Sequence, residues 1–105
     1  MAAEALNRGN ISDSRAQLYL NRVRRRAFGN NLNDVVASGS ALTEAIYLER
    51  RLELVGEGHR FFDLVRTGRA AQSINGFVAG KHELFPIPQI EIDLAGGRWA
   101  QNPGY

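Results

Sequence analysis

Apolar residues recur at helical spacing through the first part of the chain. Residues 2–8 form a short helical stretch, and the Gly-Asn pair at 9–10 is typical of a helix stop. Ser12 or Asp13 can cap a second helix that runs to about Phe28. Its apolar positions follow one another at steps of three, one, three and four, which predicts one continuous stripe: Ala16, Tyr19, Leu20, Val23 and Ala27.

A second long helix is predicted from near Ser40 to about Val55, after a loop that begins at Gly29. Apolar residues cover most of its circumference, so we expect protein on several sides of this helix. One arc of the helical wheel holds two acids among apolar residues: Leu42, Ala45, Ile46, Glu49, Leu52 and Glu53. Because a buried charge is costly unless it is paired, we expect both acids to be buried and neutralised by arginines.

The pattern changes after the second long helix. A glycine-containing turn precedes a short helix over residues 59–66. The segment Leu-Phe-Pro-Ile-Pro at 84–88 must be extended, because proline disfavours helix and restricts the residue before it. The ending Gln-Asn-Pro-Gly-Tyr at 101–105 is typical of turns. We therefore predict a mostly α protein of helical hairpins with an irregular, proline-containing extended C-terminal segment, forming a single domain over residues 1–105.

The composition limits the classes of function. A chain of 105 residues is at most one small domain, and the absence of cysteine excludes disulfides, thiolate metal ligands and cysteine nucleophiles. Of the 13 basic residues only Lys81 is a lysine, and arginine suits bidentate pairing with carboxylates. The net charge of +2 is small, and the one basic cluster, at positions 22 and 24–26, lacks interleaved aromatic residues. We therefore expect no nucleic-acid partner.

Seven ionisable residues are predicted to form a structural ion network rather than a ligand site: Glu49, Arg50, Glu53, Glu57, His59, Arg60 and Asp63. The candidate partners for the two acids of the long helix are Arg60 and a flank of Arg15, Arg22 and Arg26. The weaker alternative is a small metal-dependent enzyme that uses Glu49, Glu53, His59 and Asp63. No further ligands with comparable spacing accompany these residues, and no phosphate loop, nucleophile elbow or dinucleotide fingerprint occurs. We therefore predict no catalytic residue, no metal site and no cofactor.

Four motifs occur in an order that resembles the C-terminal part of the SusD/RagB family. The first is Leu20-Asn21-x-Val23-Arg24-x-Arg26-Ala27. The second is Glu49-Arg50-Arg51-x-Glu53-Leu54-x-x-Glu57-Gly58-x-Arg60-x-Phe62-Asp63-Leu64-x-Arg66-x-Gly68. The third and fourth are Leu84-x-Pro86-Ile87-Pro88-x-x-Glu91-Ile92 and the final Gln101-Asn102-Pro103-Gly104-Tyr105. One departure is Leu94-Ala95-Gly96-Gly97, where the family commonly carries Asn-Pro.

The resemblance implies a surface lipoprotein of the outer membrane of Bacteroidetes-type bacteria. Such proteins capture nutrients, most often oligosaccharides, and pass them to a SusC-like TonB-dependent transporter without enzymatic activity or a redox cofactor. The family fold is built round tetratricopeptide-like helical hairpins, and residues 2–28 resemble the last of these. The family's signal peptide and lipidated cysteine belong to an N-terminal region, and the chain starts in what resembles the middle of a helix. We therefore expect a fragment whose partners include the missing N-terminal part.

The resemblance carries over no ligand-binding residue, because the motifs that identify the family are typical of scaffold. A rival hypothesis from a different class is a free-standing helical protein–protein interaction module. It would be a stable, soluble monomer that recognises a peptide or a protein. The size of the native protein distinguishes the two hypotheses.

Overall fold

The computed structural model describes residues 1–105 and contains helices without any strand, so the prediction of a mostly α fold is confirmed. The six helices are α1 (Ala2–Arg8), α2 (Asp13–Phe28), α3 (Gly39–Glu53), α4 (Arg60–Arg66), α5 (Ala70–Ser73) and α6 (Gln89–Leu94). The chain divides into two compact units, Met1–Gly58 and His59–Tyr105. The single domain over residues 1–105 stays a prediction, because two compact units can belong to one domain. None of the helices combines the length and the apolar character needed to cross a membrane.

The hairpin of α1 and α2 has the boundaries that the sequence predicts. Gly9 ends α1 at a point where a Cβ would meet the backbone oxygen of Ala5 at 2.7 Å. Ser12 caps α2, because its hydroxyl accepts a hydrogen bond from the backbone N–H of Arg15 at 3.3 Å. Gly29 ends α2 in the left-handed conformation, with φ of 71°.

The core of the first unit lies between α1, α2 and α3. Its buried apolar residues come from all three helices: Ala3, Ala16, Leu20, Leu42 and Ile46. Ala16 and Leu42 are fully buried. This core contains members of both predicted apolar faces, which confirms the helical periodicity on which those faces rest.

Amide side chains of α2 hold the connection from α2 to α3. The Asn21 side chain donates to the backbone oxygen of Val35 at 2.9 Å and accepts from the backbone N–H of the same residue at 2.8 Å. Gln17 donates to the backbone oxygen of Ala37 at 2.7 Å. These bonds satisfy backbone groups of an extended segment that has no neighbouring strand. The later part of the predicted loop is therefore fastened along α2.

The start of α3 is capped from outside that helix. Asp13 accepts a hydrogen bond from the backbone N–H of Gly39 at 2.6 Å. Asn7 donates to Asp13 at 2.8 Å and to the backbone oxygen of Gly39 at 3.1 Å, and accepts from the hydroxyl of Thr43 at 2.5 Å. A carboxylate at this position satisfies an orphan N–H and interacts favourably with the helix dipole. This cluster ties together the starts of α2 and α3 and the end of α1.

Some residues of the predicted buried faces are exposed. Ala27 lies in the last turn of α2 and is exposed. Leu52 is 58% exposed, because at 100° per residue it lies about 80° from Leu42, at the edge of the buried arc. Leu48 and Val55 are 53% and 79% exposed. The expectation that protein covers several sides of α3 is therefore not met within this chain.

In the second unit, the C-terminal segment runs alongside the proline-containing segment. The Gln101 side chain donates to the backbone oxygen of Ile87 and accepts from its N–H, both at 2.8 Å. Asn102 donates to the backbone oxygen of Phe85 at 2.7 Å, and the hydroxyl of Tyr105 donates to that of Leu84 at 3.0 Å. The predicted irregular, extended C-terminal segment is therefore confirmed for these residues.

The helix α6 was not predicted from the sequence. Its isoleucines alternate with acids, a pattern that does not indicate a helix, yet residues 89–94 are helical. Pro88 precedes the helix with φ of −53°, and its carbonyl accepts from the backbone N–H of Ile92 at 3.4 Å. A proline with this dihedral is suited to a helix start, so the proline that ends the extended segment also begins α6.

Candidate functional site

The most buried charge of the predicted network is Glu49 on α3, which pairs with Arg24 on α2. The distance from Arg24 Nη1 to Glu49 Oε2 is 2.5 Å, and the two side chains are 18% and 9% exposed. Arg24 also donates through Nε to the backbone oxygen of Asn33 at 2.7 Å. The guanidinium therefore joins α2, α3 and the turn that follows α2.

A second pair joins the same two helices nearer to their ends. Arg26 donates to Glu53, and these side chains are 68% and 36% exposed. The prediction that Glu53 is buried is wrong, because it is the last residue of α3 and solvent reaches its carboxylate. The hydrogen bond to Glu53 raises the pKa of the Arg26 guanidinium.

The other five members of the predicted network have different surroundings. Arg50 Nη1 lies 3.1 Å from the sulfur of Met1, and Asp63 accepts from Arg66 Nε at 2.8 Å. The remaining three are exposed: Glu57, His59 and Arg60. The structure thus places Glu49 and Glu53 in separate pairs with α2, and the seven-residue network as a whole stays a prediction.

Arg24, the partner of Glu49, is not among the arginines that the sequence predicts as partners of the two acids. The proposed partners were Arg60 and the flank that includes Arg15, Arg22 and Arg26, of which only Arg26 is observed in contact with one of the two acids. Arg24 follows the buried Leu20 by four residues, which places it on the same face of α2. That spacing was the available signal.

Two further acids of the first unit are held in the charged form by hydrogen bonds. The backbone N–H of Gly39, together with the amide of Asn7, lowers the pKa of Asp13 below its ordinary value of 3.8. The hydrogen bond from Arg25 lowers the pKa of Asp34 in the same way. Both carboxylates join α2 to the segment that follows it, so both have structural roles.

A groove of about 300 Å³ opens between the three helices of the first unit. Its walls are largely apolar, and three ionisable residues of α3 stand among them. The lining residues are Met1, Ala2 and Ala3 of the α1 end, Tyr19, Leu20 and Val23 of α2, and Ile46, Glu49, Arg50, Glu53 and Leu54 of the α3 end. The two carboxylates in this lining, Glu49 and Glu53, each pair with an arginine, which balances their negative charge. Most of the remaining groove surface is apolar.

The arrangement offers little for metal or acid–base chemistry. The structure contains no group of three or more His, Cys, Asp or Glu side chains that could hold a metal ion. His82 Nδ1 already accepts a hydrogen bond from the backbone N–H of Val78 at 2.9 Å. Glu49 and Glu53, the two carboxylates of the enzyme hypothesis on α3, are engaged by guanidinium groups. Both of these contacts join α3 to α2.

Comparisons with known proteins identify the family. A sequence model of the SusD family matches residues 1–83. SusD-like protein P25 of Formosa agariphila is 44% identical over 90% of this chain and 20% of its own length. SusD-like protein P2 of the same organism is 32% identical over 100% of this chain and 24% of its own length. Surface glycan-binding protein A from Bacteroides thetaiotaomicron matches with a TM-score of 0.76 at 38% identity, over 97% of this chain and 22% of that one.

These matches cover nearly all of this chain but only a part of each relative. The chain spans about a fifth to a quarter of the length of the curated relatives and of the solved structure. The family match at residues 1–83 includes all of the first unit and the helices α4 and α5 of the second. The resemblance seen in the four sequence motifs is thereby confirmed, and the chain belongs to the SusD family.

Proposed function

We propose that this chain is the C-terminal scaffold part of a protein that captures nutrients, most often oligosaccharides, at the bacterial outer-membrane surface. The proposed protein is a surface lipoprotein that passes its ligand to a SusC-like TonB-dependent transporter. The observation that carries this proposal is the match to surface glycan-binding protein A from Bacteroides thetaiotaomicron, over 97% of this chain. The family match supports the same assignment. The proposed role is non-catalytic and needs no cofactor.

The scaffold role within that protein is supported by the contacts of the buried polar side chains, which lie within the first unit. Asn7, Asn21 and Glu49 are all buried, and each contacts another part of the same unit. Asp13 also bonds within the unit, to Asn7 and Gly39. A ligand site needs a few polar groups directed at a ligand. The polar groups here are used to fix helices and connections, so we assign ligand contact to other parts of the longer protein.

A chimera tests whether this part is scaffold. The segment of surface glycan-binding protein A that matches this chain is replaced by this chain, and glycan binding is measured on a glycan array. The unaltered host protein and a host carrying its own segment with the same junctions are the controls. We expect the chimera to keep the binding profile of the host. A folded chimera, by circular dichroism and thermal melting, with an altered glycan profile would contradict the scaffold role.

The transfer step has its own test in source cells. An antibody raised against this chain is used to isolate the native protein from detergent-solubilised outer membranes, and the co-isolated proteins are identified by mass spectrometry. We expect a TonB-dependent transporter to be recovered with it. Recovery of the intact protein in the outer-membrane fraction without such a transporter would contradict the proposed transfer.

One observation favours a second function, that of a helical protein–protein interaction module. Leu48 and Leu52 are exposed and lie four residues apart, so they form an apolar pair on one face of α3, and the exposed Val55 follows in the turn after that helix. Such an exposed apolar face suits docking against a helix of another protein. This function requires a free-standing protein of the size of this chain, whereas the proposed scaffold role requires a larger one.

A further inference from the structure

A tight turn on the surface of the second unit carries the pair Asn75 and Gly76. The backbone N–H of Phe77 donates to the oxygen of Ile74 at 3.2 Å, which closes a four-residue turn. Gly76 has φ of 78° and Asn75 does not have a positive φ, which is the pattern of a type II turn with glycine at its third position. Both central residues are exposed, so water and hydroxide reach their amide groups.

The fold engages neither amide group of this pair. The side chain of Asn75 makes no hydrogen bond, and the backbone N–H of Gly76 donates to no acceptor. Glycine has no Cβ that would hinder the approach of a neighbouring group. The backbone nitrogen of Gly76 is therefore accessible to the side-chain carbonyl carbon of Asn75, and a bond between the two atoms closes a five-membered ring.

The other asparagines lack this combination of features. Asn7 and Asn21 are buried, and their side chains are hydrogen-bonded. The side chain of Asn30 makes two hydrogen bonds to nearby backbone, and Asn102 is followed by a proline, which has no N–H. Several exposed asparagines are followed by a backbone N–H that is already bonded: Asn10, Asn31 and Asn33.

We propose that Asn75 is a site of spontaneous deamidation. Hydroxide removes the proton of the Gly76 N–H, and that nitrogen attacks the side-chain carbonyl carbon of Asn75, a reaction that proximity favours. The bond from this carbon to the side-chain nitrogen breaks, the nitrogen takes a proton from water and leaves as ammonia, and a succinimide remains. Water then adds to one of the two ring carbonyls and opens the ring. The product at position 75 is aspartate or isoaspartate, and this modification is independent of the proposed function.

The two products have different effects on the second unit. Phe77 is half-buried, and its ring lies 6.3 Å from that of Phe61 and 5.7 Å from that of His82, measured between centroids. In isoaspartate the main chain passes through the former side chain and is one carbon longer. Because the turn fixes Phe77 next to Ile74, the added carbon displaces Phe77 from these rings. Aspartate leaves the length of the main chain unchanged and adds only a negative charge.

Peptide mapping by mass spectrometry tests this proposal on the folded chain, incubated at mildly alkaline pH. The mass of each asparagine-containing peptide reports deamidation, and fragmentation after electron transfer distinguishes isoaspartate from aspartate. Asn31 is the internal control, because it is exposed and the N–H that follows it is bonded to the side chain of Asn30 at 3.0 Å. Asn75→Gln is the matched variant, because its amide must close a larger ring.

We expect deamidation at Asn75 to be at least about tenfold faster than at Asn31, which corresponds to a barrier lower by about 1.4 kcal/mol. The product should contain isoaspartate, Asn75→Gln should abolish the fast reaction, and amide exchange at Phe77 should become faster in the isoaspartate form. Equal rates at Asn75 and Asn31, or a product that contains aspartate alone, would overturn the proposal. A much faster reaction of Asn75 in urea would also overturn it, because the fold would then protect this pair.

Discussion

Removal of the Glu49 carboxylate should destabilise the protein far more than removal of the Glu53 carboxylate. Both acids lie on α3, four residues apart, and each pairs with an arginine of α2. They differ in burial, because the side chain of Glu49 is 9% exposed and that of Glu53 is 36% exposed. Glu53→Ala is therefore a matched control for Glu49→Ala, with the same residue types, the same helix and the same kind of partner.

The expected cost of Glu49→Ala follows from what the change leaves behind. Loss of one member of a buried pair typically costs about 3–5 kcal/mol, because the other charge remains uncompensated. Arg24 is 18% exposed and keeps its hydrogen bond to the backbone oxygen of Asn33, which places the expected cost near the lower limit, about 3 kcal/mol. Glu53→Ala leaves Arg26 largely in water, so we expect this variant to have nearly the same free energy of unfolding as the unaltered protein.

Urea unfolding followed by circular dichroism measures both effects. A cost of about 3 kcal/mol lowers the thermal midpoint of a domain of this size by roughly 10–20 °C. Arg24→Ala and the double variant complete a double-mutant cycle, in which the double variant should cost less than the sum of the single changes. Equal costs for Glu49→Ala and Glu53→Ala, or additive costs in the cycle, would refute the assignment of a buried pair.

Three further changes probe other contacts that shape the two units. The pKa of Asp13 is lowered in the folded protein, so this carboxylate stabilises the fold above about pH 4, and its contribution is lost as the pH falls through the lowered value. Asp13→Asn should therefore reduce the loss of thermal stability in acid, measured in melts between pH 2 and pH 7. Asn21→Ala leaves both backbone groups of Val35 without their partner and should cost about 1–3 kcal/mol in urea unfolding, with faster amide exchange at Val35. Gln101→Ala should accelerate amide exchange at Ile87, and unchanged exchange would mean that Gln101 does not hold the extended segment.

Local signals in the sequence were sufficient for the main helices. Ser12 and Gly29 determine the limits of α2 through a hydroxyl cap and a left-handed backbone, both of which depend on a few neighbouring residues. The apolar spacing likewise identified Leu20, Leu42 and Ile46 as core. These features could be predicted because the chemistry that decides them is close in sequence.

Contacts between distant residues were predicted less well. The pairing of Arg24 with Glu49 joins positions 25 residues apart, and periodicity gives the face of a residue but not its partner. The groove is lined by residues of three helices, which no single motif brings together. The helix α6 could not be predicted, because alternation of isoleucines with acids over so short a segment is the pattern expected of a strand.

The central claim, that this chain is part of a larger outer-membrane protein, is tested most directly by an immunoblot of fractionated source cells. The antibody is raised against this chain, and the cells are separated into soluble and outer-membrane fractions. The account predicts a band much larger than 11.6 kDa in the outer-membrane fraction, released by detergent. A soluble cytoplasmic band at 11.6 kDa would contradict it and would favour the free-standing interaction module.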